Sequence, residues 1–284
     1  MSFVGRSTLH VHRRAPDPRR RPLTIARSAV VATVCVTFVA ALVYWGYEAS
    51  ENPANQLFGK TIVRGPSDQR VVALTYDDGP NPPYTNRILD VLSHEGVRAT
   101  FFLVGRAVAA YPAVVAREAR QGNALGNHTW DHAHLVIMNA AAVRESLRRT
   151  DAAIFAATGV HTHIMRPPFG ARDWLVLDQA RRMGYTPIMW SVPLARDWEY
   201  PPPAVVAARV LPYVEDGSII VLHDGNRGQI CTARSSARLC DRSNVIEATR
   251  IIVETLKRRG YRFVTIPELI AIKGPMHTSG HGNE

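Results

Sequence analysis

From Arg70 onward, short apolar runs alternate with stretches whose apolar residues recur at helical spacing. "VVALTY" (71–76) predicts a buried strand and "YTNRILDVLSHEG" a helix after it; "ATFFLVG" (99–105) predicts a second strand, followed by helix "YPAVVAREARQG". "ALGNHT" is a short third strand, and "NAAAVRESLRRTDAAIFAAT" an amphipathic helix that ends at Gly159. The alternation continues through "HIMRPPF", helix "DWLVLDQARRMG", strand "YTPIMWSV", helix "AVVAARVLPYVEDG", strand "SIIVLHDG", helix "NVIEATRIIVETLKRRG" and strand "RFVTI". About seven strand–helix repeats predict an α/β fold with a parallel sheet, either a barrel or a near-closed relative of one. In such barrels chemistry sits at the C-terminal ends of strands. Those ends carry Asp77 and Asp78, His128, Arg166, Asp197 a few residues on, and His223.

The pattern before Arg70 is different. Residues 28–47, "SAVVATVCVTFVAALVYWGY", are twenty residues without a charge. At 1.5 Å per residue a helix of that length spans about 30 Å, the thickness of a bilayer core. Residues 1–27 form a basic head, with seven arginines against Asp17, so the head carries six of the ten net positive charges. Arginines on that side place the N-terminus in the cytoplasm and all that follows outside. The apolar run exceeds a usual signal-peptide core and no good A-x-A site follows it. The expectation is therefore an uncleaved, single-pass signal anchor of a bacterial cell membrane, with secretion after cleavage as the alternative. Residues 48–67 lack a strong period and read as a linker. Residues 68–272 form the folded domain, and 273–284 a disordered tail. With the head removed the charge is ordinary, and no cluster interleaves basic and aromatic residues, so nucleic acid is not an expected partner. Cys35 falls inside the apolar run. Cys231 and Cys240 lie in the exported part, where a disulfide persists once formed; they form either a bridge or two free thiols.

"HTWDH" sets His128 and His132 four apart. On one helical turn both imidazoles would share a face about 5–6 Å apart, a spacing that suits one metal ion, with a carboxylate from elsewhere completing the site. His134, two residues on, would point away. His161 and His163 are exposed loop histidines or, much less favourably, a second metal site. Each motif alone has a bland explanation: "RPPFG" (166–170) can be a rigid turn, and His223 a structural histidine at a strand end. The bland explanation does not account for all of them in this order at strand ends.

"ALTYDDGP", "NHTWDH", "RPPFG", "RDW" and "IIVLHDG", in that order, resemble the five motifs of the NodB-type polysaccharide deacetylases, carbohydrate esterase family 4. The likeness extends over about residues 68–270 and includes the closing "RGYRFVTIPEL". It implies a distorted (β/α)7–8 barrel and metal-dependent removal of acetyl groups from a polysaccharide. By the resemblance, Asp78, His128 and His132 would hold a divalent metal, zinc before cobalt or another ion. Asp77 would be the general base, with Arg166 holding it ionised. His223 would be the general acid that protonates the departing amine, with Asp197 hydrogen-bonded to it. Trp198 and Leu222 would wall the acetyl pocket, and the backbone N–H of Phe169 would help stabilise the oxyanion. Two departures stand out. Phe169 occupies a position where the family often has tyrosine. Pro193 in "WSVPLARDW" removes an aspartate the family commonly carries, so that loop must bulge.

The resulting expectation is a membrane-anchored deacetylase acting on N-acetyl groups of cell-wall glycan, peptidoglycan N-acetylglucosamine first and chitin-like oligomers second. The alternatives are an O-acetyl esterase on xylan or another glycan, and a non-catalytic glycan-binding member of the fold. Against the last, Asp77, Asp78, His128, His132 and His223 are all present.

Overall fold

The computed structural model describes residues 21–231, 235 and 237–272. The expected tail, 273–284, and the first twenty residues of the basic head lie outside that range. The chain divides into two compact units, residues 1–47 and 48–284.

The first unit consists of helix α1 (Arg21–Glu51), whose last four residues belong to the second unit. Over Ala29–Glu51 its mean hydropathy is 2.1, so by length and composition it is apolar enough to cross a membrane. Its large apolar side chains, from Val30 to Tyr47, are exposed. The hydroxyls of Thr33 and Thr37 bond back to the carbonyls of Ala29 and Thr33, which pairs those two hydroxyl protons within the helix.

In the second unit seven parallel strands alternate with helices: β1 (Val71–Asp77), α2 (Tyr84–His94), β2 (Thr100–Leu103), α3 (Gly105–Ala110), α4 (Pro112–Arg120), β3 (Ala124–Asn127), α5 (Ala140–Thr158), β4 (Ile164–Met165), α6 (Trp174–Arg182), β5 (Thr186–Pro187), α7 (Pro203–Val210), β6 (Ser218–His223), α8 (Ala237–Cys240), α9 (Ser243–Arg258), β7 (Arg262–Phe263) and α10 (Ile266–Ala271). Their order in the sheet is β5-β4-β3-β2-β1-β6, and β7 pairs with the start of β1. The sheet curls towards closure: beyond β5, the backbone N–H groups of Ser191 and Val192 both donate to the carbonyl of Ile219 in β6. This is the distorted barrel that the alternation of runs anticipates. Helix α5 shows the sequence logic directly. Asn139 caps its first turn by accepting from Ala142 N–H, and Gly159 ends it in the left-handed region at φ 73°.

The strands of the barrel wall are buried on both faces. In β1, Val72, Leu74 and Tyr76 pack outward against the helices, while Val71 and Ala73 pack inside the barrel. In β6, Ile220 and Leu222 face the helices, and Ile219 and Val221 face inward. Period-two alternation therefore directs Thr75 and Asp77, and likewise His223, to the inner face.

Residues 48–67, expected as a linker, are packed into the second unit. Ile62 forms a parallel bridge with Ile188, and Gly65 N–H donates to the Gly217 carbonyl. The fully buried guanidinium of Arg172 donates to the carbonyls of Ser50, Asn52, Pro53 and Asn55. The segment is non-periodic because side-chain-to-backbone bonds and one isolated bridge hold most of it in place, with no extended ladder. Arg172→Met keeps the apolar stem but leaves those carbonyls without their donor. Urea unfolding is expected to show a loss of about 2–3 kcal/mol, the cost of stranding buried acceptors.

Candidate active site

The ends of β1 and β6 lie level, with Asp77 in register with His223. Asp78 leaves the strand in the left-handed region, φ 78°, so the two adjacent carboxylates diverge. The turn that follows has no room for a side chain at Gly79, where a Cβ would lie 2.1 Å from Asp224 Oδ2. Gly225 is equally confined, 2.2 Å from the Asp78 carbonyl oxygen. The Asp224 carboxylate beneath them is buried and accepts a hydrogen bond from the Thr85 hydroxyl; burial pushes it up to about 7.

His128 and His132 converge on Asp78, though not from a helix. Residues 128–134 are irregular, and Thr129 and His132 have positive φ (68° and 58°), so two left-handed residues curl the loop and bring the rings within 4.9 Å. Asn127 braces this loop: its side-chain Oδ1 accepts from Thr129 N–H, and its side-chain Nδ2 donates to Leu147 O and Tyr185 Oη. Nε2 of His132 and of His128 lie 3.1 and 3.5 Å from Asp78 Oδ1. Nδ1 of His128 is 2.7 Å from the Arg166 carbonyl, which can only accept, so that nitrogen carries the proton and Nε2 presents a lone pair to the carboxylate. Burial pushes the His132 imidazole down, favouring its neutral form. Burial would raise Asp78, but the neighbouring His132 and His128 outweigh it and hold the carboxyl well below its usual range. Asp78 Oδ1 is buried without a hydrogen-bond partner, and the three ligand atoms lie within 4.8 Å of one another. Lone pairs facing an ionised carboxylate in a buried site fit a cation between them. His134 does not join this group; it stacks on Phe169 at 3.9 Å. His161 is exposed and bonds to Asp151 at 2.6 Å.

Arg166, at the end of β4, has no exposure to solvent. It donates to Asp77 Oδ1 at 2.6 Å, to Thr75 Oγ1 at 2.8 Å and to the carbonyl of Met189 at 3.1 Å. Its Cζ lies 4.1 Å from the Phe102 ring centre. Asp77 thus gives Oδ1 to the guanidinium, while Oδ2 lies 4.0 Å from His128 Nε2.

Asp197, fully buried, grips His223 twice. Oδ1 lies 2.9 Å from Nδ1, and Oδ2 accepts from the backbone N–H at 2.8 Å. Burial alone would lower the imidazole; the Asp197 carboxylate outweighs it, with Asp78 and Asp77 adding to the effect, and His223 is raised to about 9. Left-handed Arg196 and Tyr200 flank the turn that presents Asp197, and Asn244 Nδ2 donates to the Asp197 carbonyl. Trp198 meets the His223 ring edge-on at 4.9 Å.

Asp77, Asp78, His128, His132, Phe169, Trp198 and His223 line one cavity of about 690 Å³. Leu222 does not: it faces outward into the helix-side core, and Val221, one residue earlier, lines the cavity. The assignment to Leu222 is corrected by the strand's alternation. Phe169 sits in the cavity wall with φ 61°, its ring edge-on to His132 at 4.5 Å. Pro193 is exposed and outside the cavity, while Leu194 lines it. Cys231 and Cys240 are bonded, with Cα atoms 5.9 Å apart, and Asn226, Arg227, Gln229 and Leu239 of the surrounding loop also face the cavity. Sequence reasoning missed Asn127, Thr75, Asn244 and Glu51. The first three work through hydrogen bonds to distant elements and have no local signature, and Glu51 reaches the wall from the segment expected to be a linker.

A family model described as "Polysaccharide deacetylase" matches residues 64–188. The peptidoglycan-N-acetylglucosamine deacetylase PgdA of Listeria monocytogenes is 37% identical over 202 residues, which is 71% of this chain; the chain spans only 39% of that relative's length. A peptidoglycan-N-acetylglucosamine deacetylase of Bacillus cereus is 33% identical over 210 residues, covering 73% of this chain and 92% of the relative. Among solved structures, a CE4 family pseudoenzyme from Bacillus anthracis superposes with a TM-score of 0.66 at 28% identity, over 74% of this chain and 69% of its own. With the motif residues gathered in one cavity at the strand ends, the chain belongs to the polysaccharide deacetylase family.

Proposed function

We propose that this protein is a metal-dependent deacetylase that hydrolyses N-acetyl groups of a cell-wall glycan, with peptidoglycan N-acetylglucosamine as the first substrate. One observation carries the reading: the Asp77–Arg166 pair and the His223–Asp197 pair open into the same cavity as the convergent Asp78, His128 and His132.

An amide is a poor electrophile with a poor leaving group, so its hydrolysis needs a base for water, stabilisation of the oxyanion and an acid for nitrogen. Zinc suits a donor set of two imidazoles and one carboxylate, and held by Asp78, His128 and His132 it would supply a Lewis acid for the acetyl group. Asp77 takes the proton from the attacking water through the oxygen that Arg166 leaves free, and Arg166 keeps the carboxylate ionised and fixed in direction. The Phe169 main-chain N–H donates to the oxyanion. As the C–N bond breaks, His223 delivers its proton to the departing sugar amine, and Asp197 holds the imidazole in the protonated form. The products are acetate and a free amine. Trp198 and Val221 form the apolar wall against the acetyl methyl group. The apolar helix over 29–47 and its basic head support an exported, membrane-anchored enzyme.

A second reading, a binding member of the fold without turnover, is raised by the pseudoenzyme neighbour. The complete set of acid, base and ligand residues argues against it.

Acetate release should be measured on peptidoglycan, on chitotetraose and on acetylxylan, after chelation and after return of zinc. The expected result is zinc-restored release from the N-acetylated glycans; release from acetylxylan alone would make the protein an esterase, and glycan binding without release would make it a lectin-like relative. The charge state of His223 gives a second expectation. The acid form persists until the pH rises through about 9, so kcat/KM should fall on that limb. In Asp197→Asn the limb should move down by about 2 units, since burial then acts without its opposing carboxylate. The same pair makes a stability contribution that is fully present below about pH 6.5 and is lost as pH rises through about 9.

A further inference from the structure

Part of the cavity wall is cationic in a way the proposed hydrolysis does not use. Three guanidiniums line it, those of Arg106, Arg227 and Arg242, and among the described residues none has a carboxylate partner. Arg242 is fully buried and is neutralised only by dipoles: it donates to the carbonyls of Gly225 and Asp241 and to the Tyr200 hydroxyl. Arg106 spends two of its nitrogens on the carbonyls of Arg227 and Gly228, so it fixes the backbone of the neighbouring arginine. Among the described residues, none accepts a hydrogen bond from the Arg227 guanidinium, which is exposed. Its head lies 5.1 Å from the Phe169 ring centre, and that ring is 4.5 Å from His132, so the free charge sits no more than about 10 Å from the metal-ligand side of the cavity. Its backbone is left-handed, φ 50°, a conformation that costs a side-chain-bearing residue more than glycine. The Cys231–Cys240 bond lies just after it in the chain, starting four residues on.

We propose that Arg227, with the fixed charge of Arg242 behind it, forms a subsite for a carboxylate carried by the sugar next to the one that loses its acetyl group, so that the enzyme selects acidic over neutral glycans. The inference rests on the deacetylase reading and deepens it. An exposed guanidinium with free N–H groups offers the planar fork that a carboxylate accepts, and the unpaired charges of Arg106 and Arg242 raise the local potential that draws an anion in. The apolar and neutral-polar remainder of the loop wall, Leu239 and Gln229, suits the flank of a sugar ring and adds no competing negative charge. The stack on Phe169 holds the guanidinium at the cavity edge, where a neighbouring sugar must pass to place an acetyl group beside His132.

The test compares two tetrasaccharides of equal length on the zinc-loaded full chain. One alternates N-acetylglucosamine with its lactyl ether, which carries free carboxylates; the other is neutral chitotetraose. Dissociation constants by calorimetry and KM from acetate release are read as the ratio of acidic to neutral oligomer. The wild type should prefer the acidic oligomer about tenfold or more. Arg227→Gln should bring the ratio close to one, Arg227→Lys should retain part of it, and added salt should erode it in the wild type. A wild-type ratio near one, or a ratio that survives Arg227→Gln, would overturn the subsite; equal losses on both oligomers would make Arg227 a packing residue for Phe169. Binding preference without any acetate release would keep the subsite and sink the deacetylase reading instead.

Discussion

A positive charge with no access to water, the Arg166 guanidinium, is the point from which the site is built. Sealed inside the barrel, it must be neutralised and have its donors met, and the neighbours that do this are Asp77, Thr75 and the Ile188 and Met189 carbonyls. Arg166 thereby fixes the direction of the Asp77 carboxylate in the cavity wall. The same residue's main-chain carbonyl takes the proton of His128 Nδ1 and so directs the opposite nitrogen at Asp78. The proposed base and the proposed metal-ligand set are ordered by one residue through two different groups, although the strand that leads to Arg166 is only two residues long.

A second pair, His223 and Asp197, stands on the other side of the same cavity and does opposite work. Arg166 fixes the direction of a carboxylate, while Asp197 keeps an imidazole protonated. A carboxylate and a protonated imidazole thus face one cavity, the arrangement that the proposed base and acid require. Asp77 and His223 come level because β1 and β6 are neighbours in exact parallel register, so the sheet itself sets the spacing of the two proton-transfer groups. The glycines that interlock the two turns, Gly79 and Gly225, keep that spacing tight.

Much of this was legible in the sequence because the chemistry lies in short stretches at strand ends. The order of strands and helices follows from the runs, and the motif residues at the ends follow from their types and from family likeness. What stayed hidden shares a physical cause. A barrel strand buried on both faces is an unbroken apolar run, so its phase cannot be read and offers no check on the family likeness that points to Leu222, where the strand's alternation turns Val221 to the cavity. The turn at 128–132 depends on two left-handed residues, Thr129 and His132, neither of which is the glycine or asparagine that would announce such a bend. The strap at 48–67 has no period because Arg172, more than a hundred residues away in sequence, supplies the bonds that hold it.

The central claim is a division of labour between two adjacent carboxylates that leave β1 in different directions. Zinc content and acetate release measured together on Asp77→Asn and Asp78→Ala test it most directly. The account expects Asp77→Asn to bind zinc at full stoichiometry with turnover reduced by about 10²-fold or more, and Asp78→Ala to lose both. Equal loss of zinc from the two variants would contradict it.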